Sequence, residues 1–147
     1  ETLNNKGYFL DLAVYEKYYN KFQIPSTPSI PHLFGLKHII NIIEKEGLEN
    51  RWARHLEMRN HAIDWALDRG QSLFAEDGCQ SHTITCIKNI QNWDINKIYN
   101  NLLLKGYRMD RGYGELRGKA FRIAHMGNIY MKDLVEYLSE LEKEINV

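Results

Sequence analysis

Apolar residues recur along this chain at two spacings, and the spacings sort it into elements. Leu33, Leu36, Ile40 and Ile43 repeat at three or four positions, the period of one helical face. Ser29 as cap and Pro31 in the first turn open that helix, and Gly47 closes it. A second helix follows, with Leu48, Trp52, Leu56, Ile63 and Leu67 predicted on its buried face and Gly70 at its end. Trp52 and Trp65 are both read as core. The two long helices abut at one glycine, which predicts a sharp bend there.

Beyond residue 70 the period changes. "HTITCI" (82–87) alternates like a half-buried strand, and "QSLF" (71–74) and "YRMD" (107–110) are shorter strand candidates. Asp94 caps a helix whose apolar side is Ile95, Ile98, Leu102 and Leu103, and Gly106 ends it. A glycine-rich loop at 111–119 leads into a strand at 120–125. The last helix, near 130–145, turns Leu134, Leu138, Leu141 and Ile145 to one side. Upstream of all this lies a tyrosine-rich, loose segment (1–22) around a short helix near 11–20. It is followed by "QIPSTPSIP" (23–31), which holds all three prolines and reads as a stiff extended connection. The order β, β, α, β, β, α from residue 71 predicts an α+β fold. Its small, mostly antiparallel sheet carries helices on one face and is preceded by two long helices.

Composition narrows the function. The chain has 147 residues with 19 Lys+Arg against 19 Asp+Glu, so no bulk basic field points to nucleic acid. The longest apolar runs are a few residues, too short to span a membrane. Cys79 and Cys86 are too few for a disulfide framework and match no zinc spacing, so two free thiols and a reducing, cytoplasmic compartment are expected. The six histidines show no paired metal spacing; His55 and His61 share a helix but are six apart. His125 is read as a packing residue. The chain begins at Glu1 without the basic-then-apolar opening of a signal peptide, which suits a piece cut from a longer protein.

The chemistry concentrates in "GYGELRGKAFRIAHMG" (112–127). Gly112, Gly114 and Gly118 precede Lys119, but Tyr113 and Ala120 break the phosphate-loop pattern and Arg117 breaks the dinucleotide one. A hairpin needing positive φ and a loop folding over a ligand both remain open. Arg122 stands in an otherwise apolar strand. Either it faces solvent from an edge strand, or its planar fork awaits a carboxylate from a rigid mount. Thr27, in the proline-stiffened segment before a helix, offers a hydroxyl to a phosphate or to its own backbone.

Two blocks together carry a family likeness. "TPSIPHLFGLKHIINIIEKEGLENRWARH" (27–55) resembles the entry to the small domain of class V, fold-type I, pyridoxal-phosphate-dependent aminotransferases. "GYGELRGKAFRIAHMG" resembles their substrate-arginine strand, with the alanine–glyoxylate, serine–pyruvate and archaeal aspartate subgroup nearest. The resemblance covers most of residues 8–145. It implies that Arg122 binds the α-carboxylate of a small amino acid or 2-oxo acid, while Gly112 and Gly114 line the substrate entrance. It implies that Thr27 reaches the cofactor phosphate of the neighbouring subunit, hence a homodimer. Residues 1–31 would lead in from a large domain and 32–147 would form the small domain. The lysine that forms the Schiff base lies upstream in this family, and no lysine here has a matching context. Taken alone, the chain is therefore not expected to catalyse transamination. Two rivals are a non-catalytic α+β ligand-binding or regulatory domain, and a cysteine desulfurase or lyase of the same superfamily, for which Cys79 is the sole loop thiol.

Overall fold

A computed structural model describes residues 7–145, and these divide into two compact units, the first ending at Lys45 and the second starting at Glu46. The reading of residues 1–6 as loose lies outside the described residues.

The first unit holds a short 3-10 turn at Tyr8–Leu10, helix α1 (Leu12–Tyr19) and helix α2 (Ile30–Glu46), whose last residue belongs to the second unit. Asp11 caps α1, its carboxylate accepting the N–H of Ala13 at 3.1 Å. The apolar repeat of α2 is present as expected, yet Leu33, Leu36 and Ile40 stand exposed and Ile43 is half-buried. Gly47, at φ 83, stops α2 where only a residue without Cβ is unstrained.

The second unit carries the core. Helix α3 (Leu48–Asp68) is followed by strands β1 (Ser72–Leu73) and β2 (Ile84–Lys88), helix α4 (Ile95–Leu104), strand β3 (Ala120–Ala124) and helix α5 (Met131–Ile145). The strands form one antiparallel sheet in the order β1-β2-β3. Thr85 lies opposite Ile123 and Ile87 opposite Phe121, and all four are buried. Period-two geometry puts them on one face, where α3, α4 and α5 meet them. Trp93 ties the layers together, 6.2 Å from Trp65 edge-on and 5.8 Å from Phe121. Asp94 caps α4 through the N–H groups of Asn96 and Lys97 at 3.1 and 3.0 Å. Ile95, Ile98 and Leu102 are buried below it, but Leu103 is exposed. On α5, Leu134, Leu138 and Leu141 are buried as their spacing predicts.

Two larger expectations also fail, each for a physical reason. The packed face of α3 is His55, Met58, Ala62, Trp65 and Ala66, while Leu48, Leu56, Leu67 and Trp52 are exposed, Trp52 by 61%. Ala62 and Ala66 are four apart, and their small side chains let the helix axis approach the sheet closely. A stripe of bulky residues advertises itself more loudly in a sequence, but cannot pack so near. The second failure is "YRMD", which forms no strand. It contributes one isolated bridge, Asp110 to Arg122. The ladder stops because Gly112 turns at φ 79 and gives its N–H to the Asp110 carboxylate at 2.9 Å instead of to a neighbouring strand. The observed order is therefore β, β, α, β, α.

A charged clamp fixes the chain after β3. The Glu46 carboxylate accepts from Arg51 at 2.7 Å and Arg54 at 2.6 Å. Arg51 also donates to the Gly127 carbonyl at 2.9 Å, and Arg54 to that of Ile129, with its guanidinium over the Tyr130 ring. The two arginines, Arg54 foremost, hold the Glu46 carboxyl down to about 2.

Candidate functional site

On β3, Phe121 and Ile123 point into the core, so Arg122 and Ala124 must emerge on the opposite face. That face opens into a cleft of about 920 Å³. Arg122, Gly112 and Gly114 all line it, so three residues singled out from the sequence share one site. Thr27 belongs to the first unit. It is exposed, and its hydroxyl has no hydrogen-bond partner among the described residues.

Arg122 meets an acid supplied by this chain. Its Nη2 donates to Asp110 Oδ2 at 2.5 Å, and the other Asp110 oxygen takes the Gly112 N–H. The Arg122 hydrogen bond holds the Asp110 carboxyl below the ordinary carboxylate range, and Asp110 in turn raises Arg122 further. The contact is end-on, so most of the five guanidinium N–H groups are left without a partner among the described residues.

Hydrogen bonds tie down the loop that frames this pair. Gly112, Gly114 and Gly118 all have the positive φ expected of a tight loop, but with no strand at 107–110 it is a loop closed by the Asp110–Arg122 bridge rather than a two-stranded hairpin; it also lines the cleft. The Gly118 N–H closes the loop on the Arg111 carbonyl at 2.9 Å, and Asn89 donates to the Gly118 carbonyl at 2.9 Å. Arg111 stacks over Tyr99 at 3.9 Å and reaches Asn96 at 3.3 Å. Tyr137 also lines the cleft, and burial pushes its hydroxyl far above the ordinary tyrosine range.

Sequence reasoning missed Asp110, Arg111 and Tyr137. Asp110 had one usable signal: it is an acid at the end of an otherwise apolar or basic "YRMD", directly before the glycine loop. Nothing in the linear pattern told that it would fold back twelve residues onto Arg122.

His125 follows the Arg122 strand and is fully buried. Its Nε2 pairs with the Thr85 hydroxyl at 2.9 Å, while Nδ1 has no partner, so it is a packing residue only half satisfied. Burial foremost, then His55 and Arg59, pushes its pKa down to about 4. An unfolded histidine titrates near 6.5. The unfolded chain therefore gains a proton first as pH falls, and the fold loses stability between about 6.5 and 4, then no more from this group. Urea melts at pH 7 and 4.5 should show that loss, and His125→Gln should flatten the slope; an unchanged slope would assign it elsewhere.

Both cysteines are free; Cys79 is exposed and Cys86 half-buried, with burial raising the Cys86 thiol. Among the described residues no group of three or more His, Cys, Asp or Glu is placed to hold a metal ion, and no helix is long and apolar enough to cross a membrane.

No family model matches the chain. It is 33% identical over 139 residues to an uncharacterized aminotransferase of Methanocaldococcus jannaschii, covering 92% of this chain and 36% of that protein. It is 31% identical over 149 residues to the serine–glyoxylate aminotransferase of Arabidopsis thaliana, covering 97% of this chain and 36% of the relative. Among solved structures, the ureidoglycine–glyoxylate aminotransferase of Bacillus subtilis matches with a TM-score of 0.79 at 26% identity, over 95% of this chain and 38% of that one. The chain thus spans little more than a third of the length of the relatives it matches.

Proposed function

We propose that this chain, a relative of the class V aminotransferases, supplies the C-terminal small domain of a pyridoxal-phosphate-dependent transaminase. The full enzyme moves an amino group between a small amino acid and a 2-oxo acid of the glyoxylate or pyruvate type. The observation that carries this reading is the cleft in which Arg122 and the loop of Gly112 and Gly114 converge.

The work assigned to this chain is recognition and placement. Arg122 takes the substrate carboxylate, two parallel N–H groups matching two oxygens. Its mount on a paired strand limits the angles the substrate can adopt, so the Cα–H bond is delivered in one orientation. Gly112 and Gly114 add no side chain of their own to the cleft mouth, where Tyr113 stands between them. The Thr27 hydroxyl, exposed and unpaired among the described residues, suits donation to the phosphate of the cofactor held in a neighbouring subunit of a homodimer. The fit to the cofactor is that single donor; the remaining contacts, including the lysine that bonds it covalently, are assigned to a large domain upstream of residues 1–31. When bound, pyridoxal phosphate supplies the electron sink for the chemistry. The apolar side chains that α1 and α2 leave exposed, such as Leu12, Leu33 and Phe34, are the kind of surface a larger domain would cover. A cytoplasmic location accords with two free thiols.

The test uses the full-length protein. It should carry a visible absorbance band that changes on adding serine or alanine and returns on adding glyoxylate. A protein with no visible band after incubation with pyridoxal phosphate would end this assignment.

A further inference from the structure

We infer that Asp110 is a positioning residue for substrate binding, holding the Arg122 guanidinium so that its free edge faces an incoming carboxylate. The inference rests on the reading of Arg122 as the carboxylate fork and adds to it the group that aims the fork.

Three contacts fix Asp110 before any ligand arrives. Its backbone bridges that of Arg122 across an isolated antiparallel pair, so the two side chains are cross-strand neighbours. One carboxylate oxygen receives Arg122 Nη2 at 2.5 Å and the other receives the Gly112 N–H at 2.9 Å. Gly112 itself is closely packed, since a Cβ there would lie 2.3 Å from the Leu116 carbonyl oxygen and 2.7 Å from that of Ala120. Arg122, by contrast, has a side chain 44% exposed and would otherwise explore several rotamers. A single end-on contact removes that freedom and spends only one of five N–H donors. The hydrogen bond from Arg122 lowers the Asp110 carboxyl below the ordinary carboxylate range.

Asp110 also places a negative charge near the site, which opposes a carboxylate. The balance favours binding because Arg108, Arg111 and Arg117 line the cleft with Arg122, leaving four cations against Asp110 and Asp133. The sign of an Asp110 substitution therefore decides between two roles. A positioning residue, once removed, weakens binding; an occluding competitor, once removed, strengthens it.

The experiment compares Asp110→Asn, Arg122→Ala and the double variant in the full-length protein. Propionate, an unreactive monocarboxylate, is titrated by calorimetry, and KM and kcat are measured for glyoxylate. Asp110→Asn preserves the acceptor for Gly112 and is expected to weaken propionate and raise KM about five- to twenty-fold, with kcat and melting temperature nearly unchanged. In the Arg122→Ala background the same change should add nothing, since the group it aims is gone. Unchanged or tighter propionate binding in Asp110→Asn overturns the inference, as does an equal loss in the Arg122→Ala background. If Arg122→Ala alone leaves propionate binding intact, the carboxylate reading itself falls. Should Asp110→Asn not fold, Asp110→Glu serves: keeping the charge but lengthening the arm, it too should weaken propionate, and wild-type affinity would overturn the inference.

Discussion

Replacing Arg122 by alanine in the full-length protein is expected to lower kcat/KM for the 2-oxo acid by roughly 30- to 1,000-fold, which is about 2–4 kcal/mol of lost transition-state binding. The size follows from what is removed. A charged, two-pronged hydrogen bond in a closed site is stronger than a neutral one, and its loss leaves the substrate carboxylate desolvated without a partner. The lower end applies if the Arg122 side chain keeps in the full enzyme the 44% exposure it has here, because water then screens the pair. Arg122→Lys should recover only part of the loss, since an ammonium is a point donor and cannot match both oxygens in one plane. Steady-state kinetics on the three proteins, each checked for cofactor content, measures this. An alanine variant with wild-type kcat/KM would remove Arg122 from substrate handling.

Gly112→Ala is expected to cost about 3 kcal/mol of stability or more, the largest loss from a single methyl group in this unit. A Cβ at Gly112 would lie 2.3 Å from the Leu116 carbonyl oxygen and 2.7 Å from that of Ala120, and both are backbone atoms that cannot swing aside. The residue also sits at φ 79, which an L side chain resists. Gly114 is the control. It has φ 57 but nothing within 4 Å of an added Cβ, so Gly114→Ala should cost only about 1 kcal/mol. Urea denaturation of both variants separates steric collision from backbone preference. Equal losses would show that the collision is relieved by movement of the 114–118 loop. Because the Gly112 N–H also anchors Asp110, the Gly112 variant should impair the cleft as well as the fold.

Much of this architecture was readable in the chain. The strand expected at 82–87 and found at Ile84–Lys88, the Asp94 cap, the leucine stripe of α5 and the alternation that turns Arg122 away from Phe121 and Ile123 all follow from local sequence. The α3 face departs from its hydrophobic pattern because hydrophobicity alone does not decide burial. Trp52 and Leu48 are more apolar than Ala62 and Ala66, yet the alanines are buried, since what decides is how near the backbone can come. The strand expected at 107–110 failed because one glycine redirected its hydrogen bond into a side chain.

What the sequence determined by itself was a guanidinium on a stiff strand next to a glycine turn, and the family those residues resemble. Local rules reach that far because strand alternation and glycine φ preferences are properties of adjacent residues. Only the tertiary structure decided that Asp110 meets Arg122 and that four arginines share one cleft. Such pairings join residues across a folded loop, and no repeat or spacing in the chain encodes which of several acids will close the distance.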